Sequence, residues 1–285
     1  MTEQYDTGKT VYDFGMNNGD DVAYYLAKGF RVVGVEANSA LVDKCRIRFQ
    51  KEIASAQVVL VNVALTANSS NKPIPFYIHK LHHVLSQLNQ PAIEDLPQFE
   101  VVHVPQRKPS EIVREYGPAH YIKIDVEHFD QVVLTELFAN GIRPPHISAE
   151  SHSVEVFAAL VAAGYTAFNL VEGRSVTSIY GRTIINTPAG SQRFEFNEHS
   201  AGPCIDDIAT PWMDSESFFY FLASAHLGWK DIHATTGQVP TVSHREPDCA
   251  LTVRQHLSDL LPSIGRSISY RIRQRRKTPP ELAAR

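Results

Sequence analysis

The chain has 285 residues, 43% of them hydrophobic and 20% charged, with a formal net charge of −4 at neutral pH. That length suits one large α/β domain, or one domain with a substantial extension, and so slight an acidic balance gives no global reason to expect nucleic acid as a partner. The polar, acidic start from Met1 to Asp6 does not read as a secretory signal and no stretch is apolar and long enough to be a transmembrane segment, so a cytoplasmic protein is expected.

Val11-Tyr12-Asp13-Phe14 reads as an apolar strand that breaks into the loop Gly15-Met16-Asn17-Asn18-Gly19. A helix follows, then a second strand, Arg31-Val32-Val33-Gly34-Val35, ending in Glu36. Strand, glycine loop, helix, strand and acid in that order are how a doubly wound fold holds an adenosine-containing cofactor, with the acid accepting hydrogen bonds from the ribose hydroxyls. The spacing is Asp-x-Gly-x-x-x-Gly. It lacks the third glycine that a pyrophosphate takes, which favours S-adenosyl-L-methionine over a dinucleotide.

Leu41, Cys45 and Phe49 recur at helical spacing between Ser39 and Ile53, with Asn38 or Ser39 able to cap the helix. Val58 to Leu65 is a continuous apolar run, as expected of a third strand buried on both faces. Ile74–His79 and Glu100–Pro105 read as shorter strands, an antiparallel embellishment around a loop holding His82, His83 and Ser86. His120 to Glu127 is a strand ending in Asp125 and Glu127, followed by a helix from Asp130 to Asn140. Pro145 to Glu150 is the fifth strand, and a helix over Val154–Ala163 precedes another strand at Tyr165–Val171. Strands alternating with helices predict an α/β fold: a doubly wound, mainly parallel seven-stranded sheet with ligands at the strands' carboxyl ends.

Ser178–Ile185 can be a further strand, and Asp214–Ala225 a helix. The expected organisation is a cofactor-binding domain over 1–186, an insertion or lid over 187–236 containing Trp212 and Trp229, and a C-terminal extension over 237–285. The last carries a basic tail from Ile264 that could contact a membrane surface or an acidic partner. The three cysteines, Cys45, Cys204 and Cys249, are odd in number and far apart, so reduced structural thiols are expected.

The loop Asp13-Phe14-Gly15-Met16-Asn17-Asn18-Gly19, with Glu36 and Lys123-Ile124-Asp125-Val126-Glu127, resembles the FkbM-type, class I S-adenosylmethionine-dependent methyltransferases from about Val11 to Glu172. The resemblance implies methyl transfer to a hydroxyl of a sugar, glycan or polyketide-type acceptor. Asp13 and the Gly15–Gly19 backbone, Asn17 included, are expected around the cofactor's methionine portion, Glu36 on the ribose, Val63 or Ala64 beside the adenine, and Asp125 also among the cofactor contacts. One departure is His128, where the family usually has glycine, with Asp130 two residues on in place of glutamate.

An alcohol is a poor nucleophile, so a group near it must take or polarise its proton. Asp125, Glu127, His128 and Glu150 are the catalytic candidates, and His152, His199 and His233 are further possible bases. Asp125 and Glu150, on the ends of adjacent strands, could instead share a divalent cation. With no third ligand visible, hydrogen bonding is their expected role and no metal is expected. Lys123 is expected to form a structural ion pair. Two other readings stay open: a non-catalytic adenosine-cofactor binding module that recruits a partner, and a nicotinamide-dependent oxidoreductase.

Overall fold

A computed structural model describes residues 9–68 and 70–242. The chain builds β1 (Thr10–Phe14), α1 (Asp20–Ala27), β2 (Arg31–Val35), α2 (Ser39–Arg48) and β3 (Val58–Val61). Then come β4 (Ile74–His79), β5 (Phe99–Val104), α3 (Pro109–Tyr116), β6 (Ala119–Ile124), α4 (Asp130–Ala139), β7 (His146–Ser151), α5 (Val154–Ala162) and β8 (Ala167–Glu172). A hairpin, β9 (Thr183–Thr187) and β10 (Gly190–Phe194), precedes α6 (Ser215–Ala225) and β11 (Gly228–Thr235).

The main sheet runs β3-β2-β1-β6-β7-β11-β8, continued beyond β8 by the short strand Trp212–Met213. Neighbours from β3 to β7 pair in parallel, while β11 is antiparallel to both β7 and β8. This is a doubly wound, Rossmann-like α/β sheet whose order reverses between β1 and β6, the place where such folds open a crevice at the carboxyl ends. The strands are buried on both faces, with Val11, Phe14, Val32, Val33, Ile122 and Ile124 at 1% exposure or less, which is why they read as unbroken apolar runs.

Several expectations need correction. The third strand stops at Val61, and Ala64–Leu65 turns away to pair with Gln106–Arg107. The helix after Glu36 breaks at Phe49. Ser178–Ile185 is not a strand of the sheet: residues Val176–Ile179 are helical, and β9 pairs only with β10. The seventh strand is β11, which lies within the stretch read as a lid. Much of the rest of that stretch packs on α1: Phe194 and Phe196 meet the Tyr24 ring at 5.4 and 4.9 Å, and Lys28 pairs with Asp207 at 2.7 Å. The boundary at 186 therefore does not part a lid from the sheet. The basic tail and Cys249 lie outside the described residues.

β4 and β5 do pair antiparallel, from Ile74↔Val104 to His79↔Phe99. Cys45 and Cys204 are free and buried.

Candidate active site

A cavity of about 640 Å³ opens over the carboxyl ends of β1, β2, β6 and β7. Its first wall is the loop after β1. Gly15 has φ +89°, and a Cβ there would sit 1.8 Å from the Asp125 carbonyl oxygen, so only glycine lets β1 and β6 close at the crossover point. The Gly15 and Met16 N–H groups both donate to the Val35 carbonyl, at 2.9 and 3.1 Å, which draws the loop onto the end of β2.

Glu36 stands at that end, held from two sides. The Asn17 N–H donates to Oε2 at 3.1 Å and the Asn38 N–H to Oε1 at 2.7 Å. Burial raises the carboxyl above its ordinary pKa, against the opposing pull of those backbone donors. Glu36 lines the cavity, and its carboxylate is a hydrogen-bond acceptor only. Asn17 also lines it, and its Oδ1 is buried without a hydrogen-bond partner. Val63, Ala64, Leu65 and Phe76 supply an apolar flank.

Two of the expected cofactor residues lie elsewhere. Asp13 is fully buried and faces Lys123, whose Nζ is 3.8 Å from Asp13, 3.3 Å from Asp21 and 3.0 Å from Asp125. Burial pushes the Asp13 carboxyl up to about 7 even though Lys123 opposes it. Gly19 begins α1 with φ +80°, and a Cβ there would press on the Phe49 ring at 2.6 Å, so this glycine serves packing. Gly15, Asn17, Glu36, Ala64 and Asp125 do line the cavity.

The second wall is a cluster of acids and histidines from the ends of β6 and β7. His152 Nε2 lies 2.7 Å from Glu150 Oε2 and 3.7 Å from Glu127 Oε2, and the His128 and His152 rings stack obliquely at 4.1 Å. Glu127 and His128 both have positive φ, 40° and 64°, a strained conformation for side chains other than glycine. His128 thus holds a backbone conformation that glycine adopts freely. Burial, followed by repulsion from neighbouring carboxylates, pushes Glu127 and Glu150 up to about 9 and the buried Asp130 up to about 7. Burial and the neighbouring His152 lower His128, leaving its imidazole neutral at neutral pH.

His233 is no base for this cavity. It is 3% exposed, stacked on Tyr121, absent from the lining, and pushed down to about 3 by burial. His199 does reach the cavity, because the adjoining Ser200 hydroxyl and Ala201 N–H donate to Asp21 at the start of α1. His82, His83 and Ser86 form part of the rim, and the Ser86 hydroxyl accepts the His79 N–H at 3.2 Å. Trp229 closes another side against Gly173, where a Cβ would meet its indole at 2.3 Å. Asp21 and Arg174 were missed as site residues. Asp21 reads as an ordinary first-turn acid, and nothing around Arg174 forms a motif.

No protein-family model matches the chain, and no curated protein matches it in sequence. Solved structures with some likeness include an O-methyltransferase from Bacillus cereus in complex with SAH, at 10% identity and TM-score 0.36, covering 80% of this chain and 74% of that one. A precorrin-6y C5,15-methyltransferase from Geobacter metallireducens gives 10% identity and TM-score 0.35 over 80% of each chain. A SAM-dependent O-methyltransferase from Thermotoga maritima gives 10% identity and TM-score 0.37 over 84% of this chain and 63% of that one.

Proposed function

We propose that the protein is a methyltransferase that moves the methyl group of S-adenosylmethionine to a hydroxyl oxygen. The observation that carries this reading is the Glu36 carboxylate, fixed by two backbone N–H groups beside the Gly15–Asn17 loop at the point where the strand order reverses. A ribose diol suits a carboxylate, which only accepts hydrogen bonds. The unpartnered Asn17 Oδ1 suits the ammonium of the methionine portion, and Ala64, Leu65 and Phe76 suit a purine face.

Electrostatics supports the same donor. Asp20, Asp21, Glu36 and Asp125 line the cavity, against Lys123 and Arg174. An acidic wall favours a ligand carrying a sulfonium and an ammonium and repels the pyrophosphate of a nicotinamide cofactor.

The cofactor supplies an electrophilic methyl on sulfur. This chain's residues have to hold an acceptor oxygen in line with it in a water-poor pocket and remove the hydroxyl proton. His128 is the exposed, neutral member of the second wall and takes the part of general base, with His152 packed against its ring. The resemblance to FkbM-type enzymes supports a sugar, glycan or polyketide-type acceptor.

Isothermal titration with S-adenosylmethionine, followed by transfer of labelled methyl to a panel of hydroxyl acceptors, tests the proposal. Micromolar binding with turnover on one acceptor class is expected. Preference for NAD overturns the choice of donor, and tight binding without turnover on any acceptor favours a non-catalytic binding module.

A further inference from the structure

We propose that Asp125, Glu127, Glu150 and His152 form a binding site for a divalent first-row transition cation at the inner wall of the cavity. Ligand atoms of Asp125, Glu127 and Glu150 lie within 4.8 Å of one another, as do those of Glu127, His128 and His152, and Glu127 belongs to both sets. The residues come from two adjacent parallel strands, β6 and β7, and the turns that leave them, so the sheet itself brings the ligands together.

His152 Nε2 is buried 2.7 Å from Glu150 Oε2, yet its alignment makes no hydrogen bond to any acceptor. Behind them Asp130 is 1% exposed, and no side chain hydrogen-bonds to its carboxylate. A buried carboxylate in that condition is costly unless a positive charge stands near. Lys123 is already shared by Asp13, Asp21 and Asp125. Among the described residues no lysine or arginine pairs with Glu127, Glu150 or Asp130, and a bound cation supplies the missing charge. The imidazole decides its class: magnesium and calcium take oxygen ligands, whereas carboxylates with a histidine nitrogen suit Mn²⁺, Fe²⁺ or Zn²⁺.

The site stands whether or not methyl transfer is the reaction. If it is, a cation held by these residues would acidify an acceptor hydroxyl bound beside it. His128 would take that proton, and the oxygen would take the methyl as the carbon–sulfur bond breaks.

The full chain, stripped with EDTA and dialysed, is titrated with Mn²⁺ by calorimetry and electron paramagnetic resonance, and with S-adenosylmethionine in parallel. One Mn²⁺ per chain is expected, with a rise in melting temperature and no comparable response to Ca²⁺. Glu150→Gln combined with His152→Ala should weaken Mn²⁺ by roughly 10- to 100-fold or more while S-adenosylmethionine still binds. The parallel titration also shows that the variant is folded. Absence of Mn²⁺ or Zn²⁺ binding to the wild-type chain at about 1 mM metal, a very weak affinity, overturns the site. So does binding that survives the double substitution. Mn²⁺ binding without S-adenosylmethionine binding overturns the methyl-transfer reading alone.

Discussion

Asn17 and Glu36 are bound to each other: the Asn17 backbone N–H donates to Glu36 Oε2 at 3.1 Å while the opposite oxygen accepts from Asn38. The acid therefore clamps the loop after β1, and the proposed function makes it a ligand group as well. Glu36→Gln should damage both functions, because one of the two backbone N–H groups would then face an amide N–H₂. The mismatch is worth about 1–3 kcal/mol, so S-adenosylmethionine affinity should fall roughly 5- to 100-fold, measured by isothermal titration. Unchanged affinity would remove Glu36 from the cofactor site.

Gly15→Ala and Gly141→Ala make a matched pair. Both glycines have positive φ, but an added Cβ at Gly141 meets nothing within 4 Å, whereas at Gly15 it collides with the Asp125 backbone. Gly141→Ala should cost about 1 kcal/mol from the backbone conformation alone. Gly15→Ala should cost several times more and abolish cofactor binding, because β1 and β6 must separate at the crossover. Thermal melts of the two variants side by side measure the difference.

At His128, stability and activity should move in opposite directions. The residue occupies φ 64°, which glycine adopts freely. His128→Gly is expected to raise stability by about 1 kcal/mol. If the imidazole is the base, kcat should fall roughly 10²- to 10⁴-fold, with S-adenosylmethionine affinity unchanged. A variant that loses stability would show that the histidine makes contacts outweighing its backbone strain.

The His233 imidazole makes acid stability a specific property of the sheet. Its pKa is held down to about 3 by burial, with Lys123 adding to the effect. Unfolded, it takes up a proton near its ordinary value of about 6.5, and folded it does not. The unfolded chain therefore binds more protons below about pH 6.5, and this group's contribution to stability is lost as pH falls from there toward 3, by up to about 1.4 kcal/mol per pH unit. His233→Phe keeps a ring against Tyr121 and removes the titration. Its melting temperature should fall less than wild type between pH 6.5 and 5, read by circular dichroism.

The first half of the candidate site is legible in the sequence because its residues are local. Strand, glycine loop and acid follow one another from Val11 to Glu36, and Asp125 and Glu150 each end an apolar run. Asp13 misled for a physical reason: an acid beside a glycine loop looks like a ligand group, and only the fold brings Lys123, 110 residues away in the chain, against it. β11 was hidden by its composition. Trp229-Lys230-Asp231-Ile232-His233 has neither an apolar run nor a clean alternation, yet Asp231 and His233 are buried because neighbouring strands flank β11 on both sides. His152 was visible only as one histidine among thirteen. Its meaning comes from lying between Glu127 and Glu150.

The place of β11 also bears on how the chain reaches its final form. β7 and β8 are separated by a strand that emerges more than fifty residues after β8 ends. Until residue 235 is available the two strands have a gap between them, each with an unpaired edge able to capture the wrong neighbour. A protein cut at residue 186 would keep the whole loop from Asp13 to Glu36 and still fail as an independent unit. During synthesis the last third of the sheet must wait for a long-range closure, which makes this the slow and aggregation-exposed step of folding.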